Sequence, residues 1–186
     1  TLLSSHLRPA VAGTFAVVCC FAIFYIATAF ALGYGTVNLG IAREAFLGVQ
    51  LGAILFMAAG IIVAGWWADM RTPRIVLIAG CIGTIPMGVL FGLGFSTGSL
   101  LAIFLALSIA LLLMGFVYGP LGAWLPSLFP TQLRYTGASF SFNLGGILGG
   151  ALAPIVAQQL VAWNGVAWVG LYMSAAAAIS LLGLWR

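Results

Sequence analysis

The sequence predicts an all-α integral membrane protein with six transmembrane helices. Hydrophobic residues make up 64% of the 186 residues and charged residues only 4%, whereas soluble domains carry about 25% charged residues. The mean hydropathy is +1.25, so we expect lipid to be the solvent around most of the chain. Six spans of about 20 residues use about 120 residues, which leaves short connections and no room for a soluble domain.

Six apolar runs are separated by the few polar or turn-forming clusters of the chain. They cover residues 11–33, 45–67, 75–95, 100–124, 135–160 and 166–185. These runs are apolar all round, whereas the strands of a membrane barrel alternate apolar and polar residues. Helices also satisfy their backbone hydrogen bonds within one segment, as lipid requires. We therefore predict helices rather than strands.

The placement of arginine predicts the orientation in the membrane. With six spans, both termini, the second–third loop and the fourth–fifth loop lie on one side. That side holds Arg8, Arg71, Arg74, Arg134 and Arg186. The opposite side holds only Arg43, next to Glu44. An excess of Lys and Arg marks the cytoplasmic side, so we expect cytoplasmic termini. The net charge of +4 fits this topology better than a nucleic-acid site, which would need a basic stripe.

The chain offers little material for enzymatic chemistry. Its only acids, Glu44 and Asp69, are predicted on opposite sides of the membrane, and its single histidine, His6, precedes the first span. The three cysteines fall inside apolar runs without a Cys-x-x-Cys or Cys/His spacing. Paired carboxylates, a metal-ligand pattern and a phosphate-binding loop are all missing from the sequence. We predict no catalytic residue, cofactor or metal.

Four spans carry polar side chains that are candidates for substrate binding. These are Tyr25 in the first span, Gln50 in the second, Tyr118 in the fourth and Asn143 in the fifth. A hydroxyl or amide inside a membrane needs a partner, either on a neighbouring helix or in a wet cavity with its ligand. We expect these four residues to contact a small-molecule substrate through hydrogen bonds and aromatic packing. Helix-to-helix hydrogen bonding is the alternative for each.

Glycines at a spacing of four and prolines inside spans predict close or bent helices. The glycine pairs are Gly88 and Gly92, Gly115 and Gly119, Gly145 and Gly149, and Gly146 and Gly150. Such pairs let backbones approach closely, either for tight packing or for sliding during gating. Three prolines lie inside or late in spans: Pro86, Pro120 and Pro154. Each removes a backbone donor and bends its helix, and the bend either lines a cavity or is simple curvature.

The second–third loop resembles a signature of the major facilitator superfamily. That signature reads Gly-x-x-x-Asp-Arg-x-Gly-Arg-[Arg/Lys], and Gly65, Asp69 and Arg74 match it. The chain departs from the signature at Met70, Thr72 and Pro73. Decay of this kind is typical of the weaker copy in a second half.

The fourth–fifth loop strengthens the resemblance. Residues 128–139, with Phe129, Pro130 and Arg134, resemble the Glu-Leu-Phe-Pro-x-x-x-Arg-x-x-Gly-x-Ser stretch of that superfamily. Ser127 stands where the glutamate usually is. Together with Gly-Gly-x-x-Ala-Pro at 149–154, this wording is similar to the metabolite:proton symporter branch. That branch includes carriers of dicarboxylates, citrate, 2-oxoglutarate, shikimate and betaine or proline.

The resemblance implies that residues 1–186 are helices seven to twelve of a carrier, built as two inverted three-helix repeats. It implies alternating access to a small polar metabolite (an organic acid or osmolyte), coupled to protons, in a plasma membrane such as the bacterial inner membrane. The partner is then an N-terminal six-helix half that the chain lacks. Gly65, Asp69, Arg74 and Arg134 are expected at the cytoplasmic gate, pairing with acids or helix ends.

One negative observation limits the mechanism. No acid lies deep in any span, although a proton carrier usually needs one. We therefore expect the proton-carrying group in the N-terminal half. A six-helix channel or a non-transporting membrane scaffold is the alternative function, but a channel would show a pore motif or a ring of charges, and a scaffold would show sizeable loops.

Overall fold

The computed structural model describes residues 7–185, and it places six long apolar helices in one bundle. They are α1 (Leu7–Val37), α2 (Arg43–Met70), α3 (Pro73–Ser96), α4 (Leu100–Ser127), α5 (Arg134–Asn164) and α6 (Ala167–Leu184). Each is long and apolar enough to cross a membrane, and the described residues contain no strand. The predicted fold class is confirmed. The first five predicted runs lie inside these helices, and the sixth exceeds α6 by one residue at each end. His6 and Arg186 lie outside the described residues.

The connections use glycine at one end of the bundle and proline at the other. Gly40, Gly98 and Gly165 have φ values of 66°, 66° and 88° in the α1–α2, α3–α4 and α5–α6 connections, a backbone region that favours glycine. At the opposite end, Pro73 begins α3 directly after the extended residue Thr72, as proline does at a first helical position. Short connections of this kind force successive helices to run antiparallel.

Three of the six helices are interrupted inside the bundle. Helix α1 contains a π-helical turn at Ile26–Phe30 and α5 contains one at Ile147–Ala151. Helix α4 is broken at Gly119–Pro120, between Leu100–Tyr118 and Leu121–Ser127. The predicted bend at Pro120 is present, because proline has no N–H to continue the ladder. The π turn of α1 contains neither proline nor glycine.

The packing of the helices repeats when the first three are exchanged with the last three. Helix α2 packs along α4 as α5 packs along α1, α3 packs against α4 as α6 packs against α1, and α3 packs against α6. Each unit has an odd number of helices, so the second unit enters the membrane from the opposite side. This is the pattern that two inverted three-helix repeats produce.

Glycines lie at the closest contacts between helices. An added Cβ would overlap the neighbouring backbone at Gly60 and Gly115 between α2 and α4, at Gly88 and Gly170 between α3 and α6, and at Gly149 between α1 and α5. At these contacts the glycine pattern provides tight packing. Helix α1 is the most buried of the six, whereas α2 and α5 keep the largest exposed faces.

A polar cleft between helices α1, α4 and α5

An open cleft runs along the exposed side of α5. One cavity of about 330 Å³ lies between α4 and α5 and is lined in part by Tyr118 and Asn143. A second, of about 530 Å³, lies between α1 and α5 and is lined in part by Tyr25 and Asn143. Phe142 and Asn143 border both cavities. Three of the four predicted binding residues therefore line one cleft.

Aromatic rings form the α1 side of this cleft. The ring of Phe21 stacks on that of Tyr25 at 6.5 Å between centroids, and it meets the edge of Phe142 at 5.0 Å. Tyr25 is 38% exposed and Tyr118 is 41% exposed. A Cβ on Gly150 would lie 2.7 Å from Cε2 of Tyr25, so this glycine lets the tyrosine ring lie against α5.

Asn143 supplies the amide of the cleft. Its Nδ2 donates to the Ser139 carbonyl at 2.8 Å, one turn earlier in α5. A carboxamide nitrogen has two hydrogens, so this bond orients the group and leaves a second hydrogen for a ligand. The cleft can therefore donate from an amide and two phenol hydroxyls, and it can pack aromatic rings against an apolar part of a ligand.

Gln50, the fourth predicted binding residue, is placed differently. It is only 7% exposed, and its Nε2 donates to the carbonyls of Ala27 and Thr28, both at 2.9 Å. Both hydrogens of this amide are thus directed at the π turn of α1. The nitrogen of Gln50 therefore makes hydrogen bonds between helices, which was the alternative to substrate contact. Gln50 lines neither of the two cavities of the cleft.

A polar residue that the sequence did not single out extends the same helix pair. Gln158 of α5 is exposed and lines a cavity of about 320 Å³ with Tyr34 and Asn38. This cavity lies between α1 and α5, beyond the two π turns. The sequence did contain a signal for this residue: Gln158 and Gln159 are adjacent carboxamides inside the fifth apolar run, and polar pairs are rare in membrane helices.

Arg74, one of the four loop residues, binds the end of the last helix. Its Nε donates to the Leu184 carbonyl at 2.7 Å, and Leu184 is the last residue of α6. Carbonyls at a helix C-terminus lack intrahelical donors and carry partial negative charge, so a guanidinium is a favourable partner. The expected pairing of Arg74 with a helix end is present within this six-helix unit.

The other three loop residues lie at the same end of the bundle and line neither of the two cavities of the cleft. Gly65 has open space beside it in α2. Asp69, the next-to-last residue of α2, is exposed, and so is Arg134, the first residue of α5. Pairing of Asp69 or Arg134 with other charges or helix ends stays a prediction.

Comparison with curated proteins gives relatives along the whole chain. The chain is 38% identical to the inner membrane metabolite transport protein YhjE of Escherichia coli, over 99% of the chain and 43% of that protein. The chain is a homologue of metabolite transport proteins. The chain is also 29% identical to the shikimate transporter of Escherichia coli, over 85% of the chain and 37% of that protein. It is 25% identical to the ectoine/proline transporter of Corynebacterium glutamicum, over 97% of the chain and 37% of that protein.

The relatives confirm the resemblance to major facilitator transporters, which was based on two loops, because they are transport proteins. Their names describe transporters and agree with the prediction that the chain has no enzymatic role. No protein-family model matches the chain. It spans less than half the length of the relatives it matches.

Proposed function

We propose that the chain is the C-terminal six-helix half of a secondary transporter for a small polar metabolite, an organic acid or an osmolyte. The observation that carries the proposal is the cleft that brings together Tyr25, Tyr118 and Asn143 on the side where α5 is exposed. An open polar cleft in a membrane protein needs a second wall to exclude lipid. The relatives are more than twice as long as the chain, which is enough for a second unit of six helices.

The substrate in this proposal binds between the two halves, near the bilayer midplane. This half contributes hydrogen bonds from Asn143 and the two tyrosines and packs Phe21 and Phe142 against the carbon skeleton. Alternating access then follows from rocking of one half against the other around a fixed site. The names of the relatives, which include a shikimate and an ectoine/proline transporter, support a small polar substrate.

Proton symport belongs to the same proposal, with the proton-carrying group in the other half. The chain has two acids. Glu44 lies in the first turn of α2 and Asp69 at its end, so neither reaches the cleft. Any charge that balances an ionised substrate or carries a proton is then supplied across the cleft.

The proposed gate is at the end of the bundle that we assign to the cytoplasm of a bacterial inner membrane. Asp69 and Arg134 are exposed there and are free to pair with groups of the other half in the outward-facing state. Gly65, one turn before Asp69, leaves space for close approach of a second helix. Arg74 is bound to α6 of its own unit, so its role in the proposal is to hold the gate region together.

Uptake by the full-length transporter in proteoliposomes tests the proposal. The substrates are a panel of dicarboxylates, shikimate and zwitterionic osmolytes, each measured with an inward proton gradient and with the gradient collapsed by a protonophore. We expect one chemical class to accumulate only with the gradient. Leu171→Ala, at an exposed position of α6 that lines neither cavity of the cleft, is the control for substitutions in the cleft and is expected to transport normally.

Two outcomes separate the parts of the proposal. If uptake is the same with and without the proton gradient, proton symport is contradicted but the proposed transport function is not. A complete absence of uptake for the whole panel, from protein shown to be folded and inserted, contradicts the transport function in the proposed substrate classes.

A further inference from the structure

The π turn of α1 is held by a side chain from another helix. In an α-helix the amide of Ala31 would donate to the carbonyl of Ala27, four residues earlier. Here it donates to the carbonyls of Ile26 and Thr28. The Ala27 carbonyl therefore loses its helical donor in the buried part of the bundle, where an unpaired carbonyl is unfavourable. Nε2 of Gln50 donates to it at 2.9 Å.

The same amide also fixes the next carbonyl. The second hydrogen of Gln50 Nε2 goes to the Thr28 carbonyl at 2.9 Å, so one side chain of α2 bridges two successive peptide groups of the turn. The Thr28 hydroxyl donates to the Phe24 carbonyl at 2.6 Å. The wide turn is thus satisfied by side chains, and Gln50 provides the contact that comes from outside α1.

Tyr25 lies at the point where this turn begins. It is the residue directly before Ile26–Phe30, and its ring packs against Gly150, which belongs to the π turn of α5. Tyr25 therefore directly precedes the π turn of α1 and packs against the π turn of α5. Single π turns inside α-helices frequently occur at functional sites.

We propose that Gln50 is a positioning residue that holds the π turn of α1 open and thereby sets the position of the Tyr25 ring in the cleft. Gln50 acts on substrate affinity through Tyr25 and touches no substrate itself. This inference rests on the proposed function of the cleft as the substrate site. It replaces the expectation that Gln50 contacts the substrate directly.

The test compares Gln50 with a second buried hydrogen bond to α1. Gln50→Met keeps the length and volume of the side chain but removes both donors. Ser180→Ala is the matched control, because Ser180 Oγ is also buried and donates from α6 to the Phe15 carbonyl of α1 at 2.7 Å. Each variant is made in the full-length transporter, alone and combined with Tyr25→Phe, and KM and kcat for uptake are measured.

We expect Gln50→Met to raise KM with little change in kcat. Its effect is expected to be non-additive with Tyr25→Phe by at least about threefold, as for residues that act through one another. Ser180→Ala and Tyr25→Phe are expected to be additive. Additive effects for Gln50→Met, or equal behaviour of the two pairs, would overturn the inference, because a general loss of stability does not depend on Tyr25.

A second measurement does not depend on transport. Tyr25→Cys is labelled with a polar maleimide, and the modified peptide is quantified by mass spectrometry; the native Cys19, Cys20 and Cys81 are buried. We expect Gln50→Met to change the labelling rate at position 25 at least about threefold, and Ser180→Ala to leave it unchanged. An unchanged rate in Gln50→Met overturns the inference even where uptake fails. A changed rate without uptake supports the positioning role and contradicts only the transport proposal.

Discussion

Replacing Gly88 by alanine tests the closest backbone contact between α3 and α6. An added Cβ at this position would overlap the Gly170 carbonyl oxygen and the Ser174 hydroxyl oxygen. Ser174 itself donates to the Ile85 carbonyl at 2.7 Å. The new methyl group therefore forces the two helices apart by about an ångström if normal contact distances are to be restored, and it displaces an interhelical hydrogen bond.

The expected cost follows from these two contacts. Overpacking a close interface costs about 1–3 kcal/mol, and an interhelical hydrogen bond in a membrane contributes about 0.6 kcal/mol. We expect Gly88→Ala to lower the free energy of unfolding by about 2–4 kcal/mol. Gly48→Ala is the control, because no atom lies within 4 Å of a Cβ at that position. Alanine there is expected to be neutral or slightly stabilising.

Equilibrium unfolding of the full-length transporter in mixed micelles, with a rising fraction of denaturing detergent and circular dichroism as the signal, measures both variants. Gly170→Ala provides a second test of the same contact and is expected to be destabilising as well, since its Cβ would overlap the Gly88 carbonyl. If Gly88→Ala and Gly48→Ala differ by less than about 0.5 kcal/mol, the described approach of α3 to α6 is refuted.

Further predictions concern one end of the bundle and the cleft. Arg74→Gln removes the charged donor to the Leu184 carbonyl and is expected to lower the free energy of unfolding by about 1–2 kcal/mol; Arg71→Gln, at an exposed position, is expected to have no measurable effect in the same assay. Asn143→Leu is expected to raise KM for uptake about tenfold, the effect of one lost ligand hydrogen bond, with a normal amount of inserted protein. Tyr118→Phe is expected to raise KM about tenfold as well, because it removes one ligand hydrogen bond, and Tyr118→Ala is expected to raise KM further, because the ring also packs against the substrate; equal KM values for these two variants would contradict the packing role.

The six spans followed from the sequence because lipid allows few alternatives. A run of about 20 apolar residues without charge has to form a helix that satisfies its own backbone. The predicted bend at Pro120 also depends on local chemistry alone, because the missing N–H belongs to the residue itself. Both features lie within one segment of the chain.

The cleft was predicted in part. The polar faces of α1, α4 and α5 could be placed on single helices, and so Tyr25, Tyr118 and Asn143 were identified as candidates. Which of these faces meet depends on helix packing, and packing is governed by glycines such as Gly149 that approach a specific neighbour. The aromatic wall containing Phe142 follows only from that packing.

The π turn of α1 could not be predicted from its own residues. Ile26, Ala27 and Thr28 have no strong preference against an α-helix, and the turn contains neither proline nor glycine. Its carbonyls are satisfied by Gln50, which lies more than twenty residues further along the chain. The polar character of Gln50 was evident in the sequence, but its partner was not, and the partner decides whether it binds a ligand or a backbone.

The uncharged wall of the cleft has an electrical consequence. Within residues 7–185, the charged side chains all lie at or beyond the ends of the six helices, and moving one elementary charge through 100 mV is worth about 2.3 kcal/mol. A membrane potential therefore does almost no work on this unit when it tilts. In the transporter that we propose, any voltage dependence would be a property of the substrate, the coupling ion and the opposite half, and a current recorded during turnover would report on those charges.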